Sequence, residues 1–180
     1  MNHVFTMLEP FKVPDGTLVS SFFNPMDSEY PLPFNLLDGF SIAGGRIEAG
    51  SRSKIQILPF VTQVTFVRRG TLEVRMKGMD DEEPYLLKVP ADQAVFTRPG
   101  TFLQLINSDN NKHCDVLYIV SPGYLFLFDK VAGKVVYDDS VVLNEDWNDL
   151  RESGWHHSVE LPTMEQRHEA YRILAVKDKF

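Results

Sequence analysis

Apolar and polar residues alternate with period two along much of the chain between residues 40 and 129. Leu72, Val74 and Met76 interleave with Glu73 and Arg75, the pattern of a strand with one buried and one wet face. Candidate strands read the same way cover 40–48, 54–58, 63–69, 71–77, 85–89, 94–98, 102–107, 115–120 and 124–129. Turn residues punctuate them: Gly44-Gly45, Gly50, Pro59, Gly70, Pro84, Pro90, Pro99-Gly100, Asn110-Asn111 and Pro122-Gly123. Many short strands with no helix between them predict an all-β sandwich or barrel.

The flanks differ. Residues 1–39 are rich in turn signals, with short apolar pieces at Leu18-Val19 and Phe22-Phe23. They predict an ordered N-terminal arm with one or two short strands, because the aromatic content argues against disorder. After residue 142 the alternation stops. Trp147 and Leu150 are candidates to cover the barrel surface. Further on, Thr163 and Gln166 have the spacing of a capping box. Met164, His168, Tyr171, Leu174 and Ala175 recur at helical spacing. The expectation is one domain over 1–180: an arm at 1–39, a barrel at 40–142 and an extension at 143–180 with a helix at about 164–176. A length of 180 residues suits one such domain.

Composition narrows the partners. The net charge is -7, which opposes binding to nucleic acid or an anionic membrane. Arg68-Arg69 lies among apolar residues and starts no basic stripe. The acidic run at 80–83 reads as a solvated loop. Cys114 is the single cysteine, so no intrachain disulfide forms and nothing points to an oxidising compartment. The first residues lack the basic start and apolar run of a signal peptide. The longest apolar runs, 116–120 and 124–128, are too short to span a bilayer. These features together predict a cytoplasmic protein without nucleic-acid or membrane partners.

A more specific frame lies inside the strand pattern. Gly50 is followed after five residues by Gln56, then by Leu58, after four more by Gln63, and after six more by Gly70. Downstream, Pro99-Gly100 is followed after two residues by Leu103 and after three more by Asn107. With these glycines and this Asn the chain resembles the cupin superfamily over roughly residues 40–130. The resemblance implies a jelly-roll barrel of two antiparallel sheets with a pocket at one mouth. It also implies three His and one Glu holding a metal at positions 56, 58, 103 and 63. This chain has Gln56, Leu58, Leu103 and Gln63 there, and no histidine between His3 and His113. Leucine has no donor atom and an amide oxygen is a weak ligand for a transition metal. The expectation is therefore no metal and no cofactor.

Strand period puts Gln63, Thr65, Val67 and Arg69 on one face, and Leu103, Leu105 and Asn107 on another. The expected ligand-binding set is Gln56, Leu58, Gln63, Thr65, Arg69, Leu103 and Asn107, with Phe60, Phe96 and Phe102 near the rim. Such a lining suits a neutral or aromatic small molecule, and the opposing reading is that these side chains simply fill a small barrel. Acid–base chemistry without a metal needs a titratable group. The candidates are His113, Asp115 and Tyr118, with Tyr85 and Tyr124 as further donors. His156-His157 lacks a third ligand nearby, and His168 reads as a surface or interface residue.

Three functions stay open. The first is a metal-free cupin binding a sugar, carboxylate or aromatic metabolite in the barrel mouth. The second is a metal-independent isomerase, cyclase or lyase. The third is an assembly protein with a filled barrel. Whether the chain is an enzyme is left undecided. A homodimer is expected in each case, because exposed strand edges need covering.

Overall fold

The computed structural model describes residues 6–23, 39–129 and 131–177. The other parts of the expected arm, 1–5 and 24–38, lie outside the described residues. The strands are β1 (Phe11–Lys12), β2 (Leu18–Phe23), β3 (Ser41–Ile47), β4 (Gln56–Ile57), β5 (Thr62–Arg69), β6 (Thr71–Lys77) and β7 (Tyr85–Pro90). They continue with β8 (Ala94–Thr97), β9 (Phe102–Ile106), β10 (Cys114–Ser121), β11 (Phe126–Asp129), β12 (Lys134–Asp138) and β13 (Val141–Val142). Two helices follow, α1 (Trp147–Glu152) and α2 (Met164–Lys177).

Two antiparallel sheets face each other in a jelly-roll barrel. The first has the order β1-β2-β3-β10-β5-β8 and the second β13-β4-β9-β6-β7, with β11-β12 as a separate hairpin. Alternation decides which residues meet inside. Val67 on β5, Val116 and Val120 on β10, Leu72, Val74 and Met76 on β6, and Leu103 and Leu105 on β9 form one buried cluster. Two glycines permit this packing. A Cβ on Gly45 would lie 2.3 Å from the Tyr118 ring, so the ring occupies space that other residues would fill. Gly70 turns β5 into β6 at a φ of +87°, a conformation glycine adopts at little cost.

The outer face of the second sheet is covered by the segment after β13. Ile55 and Ile57 pack there with Leu143, Trp147 and Leu150. Trp147 Nε1 donates to Gln104 Oε1 at 2.8 Å, and the Arg75 guanidinium lies 4.8 Å from the Trp147 ring centre. The short helix α1, which alternation did not predict, starts on a capping box formed by Asp146 and Asp149. At six residues it is too short for a periodic signal.

The C-terminal helix starts on the expected cap: Thr163 Oγ1 accepts from Gln166 N, and Gln166 Oε1 accepts from Thr163 N. Its buried face differs from the expected stripe. Met164 and His168 are exposed, while Arg167 and Ala170 are buried. The reason is electrostatic. Arg167 makes a bidentate ion pair with Asp139, Nε to Oδ1 and Nη2 to Oδ2, both at 3.0 Å. The Asp139 side chain is 0% exposed. Tyr137 Oη and Leu125 N donate to the same carboxylate at 2.8 Å, and Arg167 Nη2 also donates to Gly123 O. Leu125, Leu127, Tyr137 and Ala170 pack around this group. No helix among the described residues is long and apolar enough to cross a membrane.

Removing one member of a buried pair strands the other charge. Arg167→Ala is expected to destabilise the fold by about 3–5 kcal/mol, read from urea unfolding. Replacing both, as Arg167→Met with Asp139→Leu, is expected to recover part of that loss. Equal stability of Arg167→Ala and wild type would contradict the anchoring role.

Candidate functional site

The barrel interior is packed at the positions where the frame expects a ligand. Gln56 is the cross-strand partner of Leu103, and Leu58 and Leu103 belong to the same buried cluster. Gln56, Leu58, Gln63 and Leu103 are 8%, 2%, 6% and 0% exposed. The polar atoms have internal partners. Gln56 Oε1 accepts from Ser140 Oγ at 2.8 Å, and Gln63 Nε2 donates to Thr65 Oγ1 at 3.1 Å. Two leucines and two engaged amides do not fit a transition metal, which needs imidazole, thiolate or carboxylate donors. Among the described residues no three His, Cys, Asp or Glu side chains converge as a ligand set.

The other expected site residues scatter. Asn107 is a structural clasp: its Nδ2 donates to the carbonyls of Ile47, Glu48 and Lys112, and its Oδ1 accepts from Asp109 N. Tyr118 is buried with its hydroxyl beside Asp15 and Thr17, without a well-formed hydrogen bond. Burial first, then the Asp15 charge, pushes its phenol well above the ordinary range. Arg69 leaves the Gln63 face. A bulge between Asp115 and Val116 pairs Arg69 with Asp115 and Val67 with Val116. One extra residue reverses which side the next side chain takes, and Arg69 ends exposed. Phe96 projects from the outer face of β8, and Phe102 packs against Trp155.

Arg69, His113 and Asp115 do come together, at the end of β10 away from Gln56. Arg69 Nη2 donates to Asp115 Oδ2 at 2.6 Å and meets His113 Nε2. His113 Nε2 is 3.5 Å from the same carboxylate, and Arg46 Nε binds Asp115 Oδ1 at 2.9 Å. Partial burial raises the Asp115 pKa, but the Arg46 hydrogen bond and charge, then the His113 and Arg69 charges, leave it below normal. Cys114, between them, is fully buried, and burial with the Asp115 charge pushes its thiol up to about 11.

A groove of about 580 Å3 lies at the opposite end, between β12, β13, the 159–162 segment and α2. Leu127, Val136, Val141, Leu161, Ala170 and Ile173 supply its apolar walls. Asp138 lies in the lining, with Ser140 and, from the far wall, Glu160 and Glu169. Both hydrogen bonds to Asp138, from Tyr124 Oη and from Ser140 N, end on Oδ1. Oδ2 has no protein partner among the described residues. Burial raises the Asp138 pKa to about 6, helped by the Asp139 and Asp15 charges and opposed by the Tyr124 and Ser140 hydrogen bonds. Sequence reasoning missed this carboxylate. The available signal was Tyr137-Asp138-Asp139-Ser140, where consecutive acids on a strand end must face opposite ways.

Comparison with known proteins supports the fold. No protein-family model and no curated protein matches the chain. Solved structures do. The cupin domain of Drosophila melanogaster CENP-C has a TM-score of 0.51 at 14% identity, covering 63% of this chain and 70% of that one. Lactobacillus farciminis oxalate decarboxylase, as its formate complex, has a TM-score of 0.54 at 12% identity over 76% of this chain. The capsular polysaccharide assembling protein CapF of Staphylococcus aureus has 0.52 at 15% identity over 79%. This chain spans about a third of the latter two, 34% and 32%. The fold is that of a cupin.

Asp138 makes stability depend on pH. Its folded pKa lies above the ordinary 3.8, so its contribution is fully present below that value and is lost as pH rises through about 6. Asp138→Asn keeps an acceptor for Tyr124 and Ser140. The variant is expected to gain on the order of 2 kcal/mol relative to wild type between pH 4 and pH 7. Urea unfolding at both pH values checks this, and a pH-independent difference would contradict it.

Proposed function

We propose that this cupin-fold chain binds a small organic molecule without a metal, in the groove beside the barrel mouth rather than in the barrel itself. One observation carries the reading: Asp138, whose Oδ2 has no protein partner among the described residues, lines a groove with apolar walls. An apolar cleft with a few convergent polar groups and a shifted carboxylate is the usual form of a small-molecule site. Glu160 and Glu169 add negative charge. Of the ligand classes considered from the sequence, a carboxylate therefore fits least. An aromatic or aliphatic body bearing an amine fits best. The enzyme reading is weaker. His113 and Asp115 lie at the far end of the barrel and the Tyr118 hydroxyl is enclosed.

Benzylamine is a suitable probe, with benzoate and benzyl alcohol as controls. The expectation is saturable binding by calorimetry, tighter at pH 7.5 than at pH 5 because Asp138 must be ionised. Asp138→Asn is expected to weaken it by about tenfold, the scale of one charged hydrogen bond. No saturable binding of the amine, or benzoate binding as well, would remove this reading.

A second reading has its own support: an assembly role, as a homodimer. The barrel interior is filled, and the outer strands β7 and β8 present apolar residues. Leu86 and Phe96 are each 56% exposed, beside exposed Tyr85 and Leu87. Apolar sheet edges of this kind favour pairing with a second copy. Light scattering of the wild type is expected to give twice the chain mass, and Leu86→Lys with Phe96→Lys the chain mass. A monomeric wild type at high concentration would exclude this reading.

A further inference from the structure

The end of the barrel opposite the Asp138 groove carries a second cleft, of about 840 Å3. It lies where β5 turns into β6 and where the loop after β9 returns to β10. The length of β10, roughly 25 Å at the usual strand rise, separates the two ends. Arg69, Lys88, Lys112 and His113 line the cleft together with Glu73 and Asp109.

Each of the two carboxylates accepts hydrogen bonds from neutral groups on one oxygen and keeps its charge. Glu73 Oε2 accepts from Ser108 Oγ at 2.7 Å. Asp109 Oδ1 accepts from the backbone N–H groups of Asn111 and Lys112. Glu73 and Lys88 are direct cross-strand partners on β6 and β7, a position where opposite charges ordinarily pair. They form no ion pair here, because Glu73 turns to Ser108. The ammonium groups of Lys88 and Lys112 thus have no ion-pair partner among the described residues. Asp115 offsets one of two guanidinium charges, since its single carboxylate is shared between Arg46 and Arg69. Arg46, Arg69, Lys88 and Lys112 stand against Glu73, Asp109 and Asp115, so one positive charge is in excess around this concavity of a chain whose net charge is -7. Concave charged walls focus field on a ligand of opposite sign.

We propose that this cleft binds the phosphate of a small phosphomonoester. The donors approach from separate elements: Arg69 from β5, Lys88 from β7, and Lys112, His113 and the Asn111 amide from the loop before β10. Donors spread around a cleft suit a tetrahedral, multiply charged anion. A planar carboxylate suits a single bidentate fork better. The cleft volume leaves room for an organic group beyond the phosphate.

The test is calorimetric titration of the full chain with phenyl phosphate, inorganic phosphate and benzoate at fixed ionic strength. Phenyl phosphate is expected to bind saturably and more tightly than inorganic phosphate, with benzoate silent. Lys88→Gln and Lys112→Gln, both at exposed positions, are each expected to weaken phenyl phosphate by about fivefold. Lys54→Gln, exposed outside the cleft, is expected to leave it unchanged. Absence of saturable phosphate binding, equal binding of benzoate, or full affinity in both lysine variants overturns the proposal. Tighter binding of inorganic phosphate than of phenyl phosphate overturns its assignment to phosphomonoesters.

Discussion

The buried ion pair between Asp139 and Arg167 organises the mouth end of this barrel. Its carboxylate has no exposure and receives four donors: two from Arg167, one from Tyr137 and one from Leu125 N. Such a group is tolerable only when every lone pair is used. Satisfying it fixes three segments at once: the chain after β10, the end of β12, and α2. Because Asp139 must face inward, its neighbour Asp138 faces the other way, toward Tyr124 and the groove. The candidate site is thus a geometric consequence of the anchor. The carboxylate that holds the fold sets the orientation of the carboxylate left available to a ligand.

The same anchoring accounts for the closed barrel. Tyr124 packs against the main core cluster while its hydroxyl binds Asp138, so the segment that follows β10 sits over the mouth. Ser140 reaches the first expected ligand position, Gln56. In a metal-binding barrel that position needs an unengaged donor facing an open cavity. Here Leu58 and Leu103 supply apolar volume and the amides are tied to hydroxyls. The interior contributes stability by burial.

The sequence made the barrel legible because half-buried strands leave a strong period-two signal. β6 buries Leu72, Val74 and Met76 as the alternation predicts, with Lys77 at its end buried as well. The elements missed are β12, Lys134–Asp138, whose Val135-Val136-Tyr137 run does not alternate, and two elements too short to leave a periodic signal. β13 has two residues and α1 six. The buried face of α2 was displaced by one position because its central buried residue is an arginine, which an apolar-stripe reading assigns to solvent. Arg69 failed for another reason: a bulge resets parity and leaves no mark in composition. Asp138 was hidden because its character comes from burial, and its neighbours signal only that it and Asp139 face opposite ways. His113 and Asp115 were legible as a pair, since residues two apart on a strand share a face. Their position at the far end was not, because that depends on which end of β10 the mouth segment closes.

The two ends of the barrel differ in electrostatic sign, and that asymmetry follows from the pairing choices. At the mouth, Arg167 is consumed by Asp139, which leaves Asp138, Glu160 and Glu169 around the groove. At the far end, Glu73 and Asp109 accept from a hydroxyl and from backbone N–H groups and form no ion pair with Lys88 or Lys112, and the cations around the cleft outnumber the carboxylates by one. The charges that line each concavity set its local field. A uniform net charge of -7 therefore coexists with one acidic and one basic concavity. Opposite charge at the two ends gives each concavity a field of opposite sign along the axis of a single barrel.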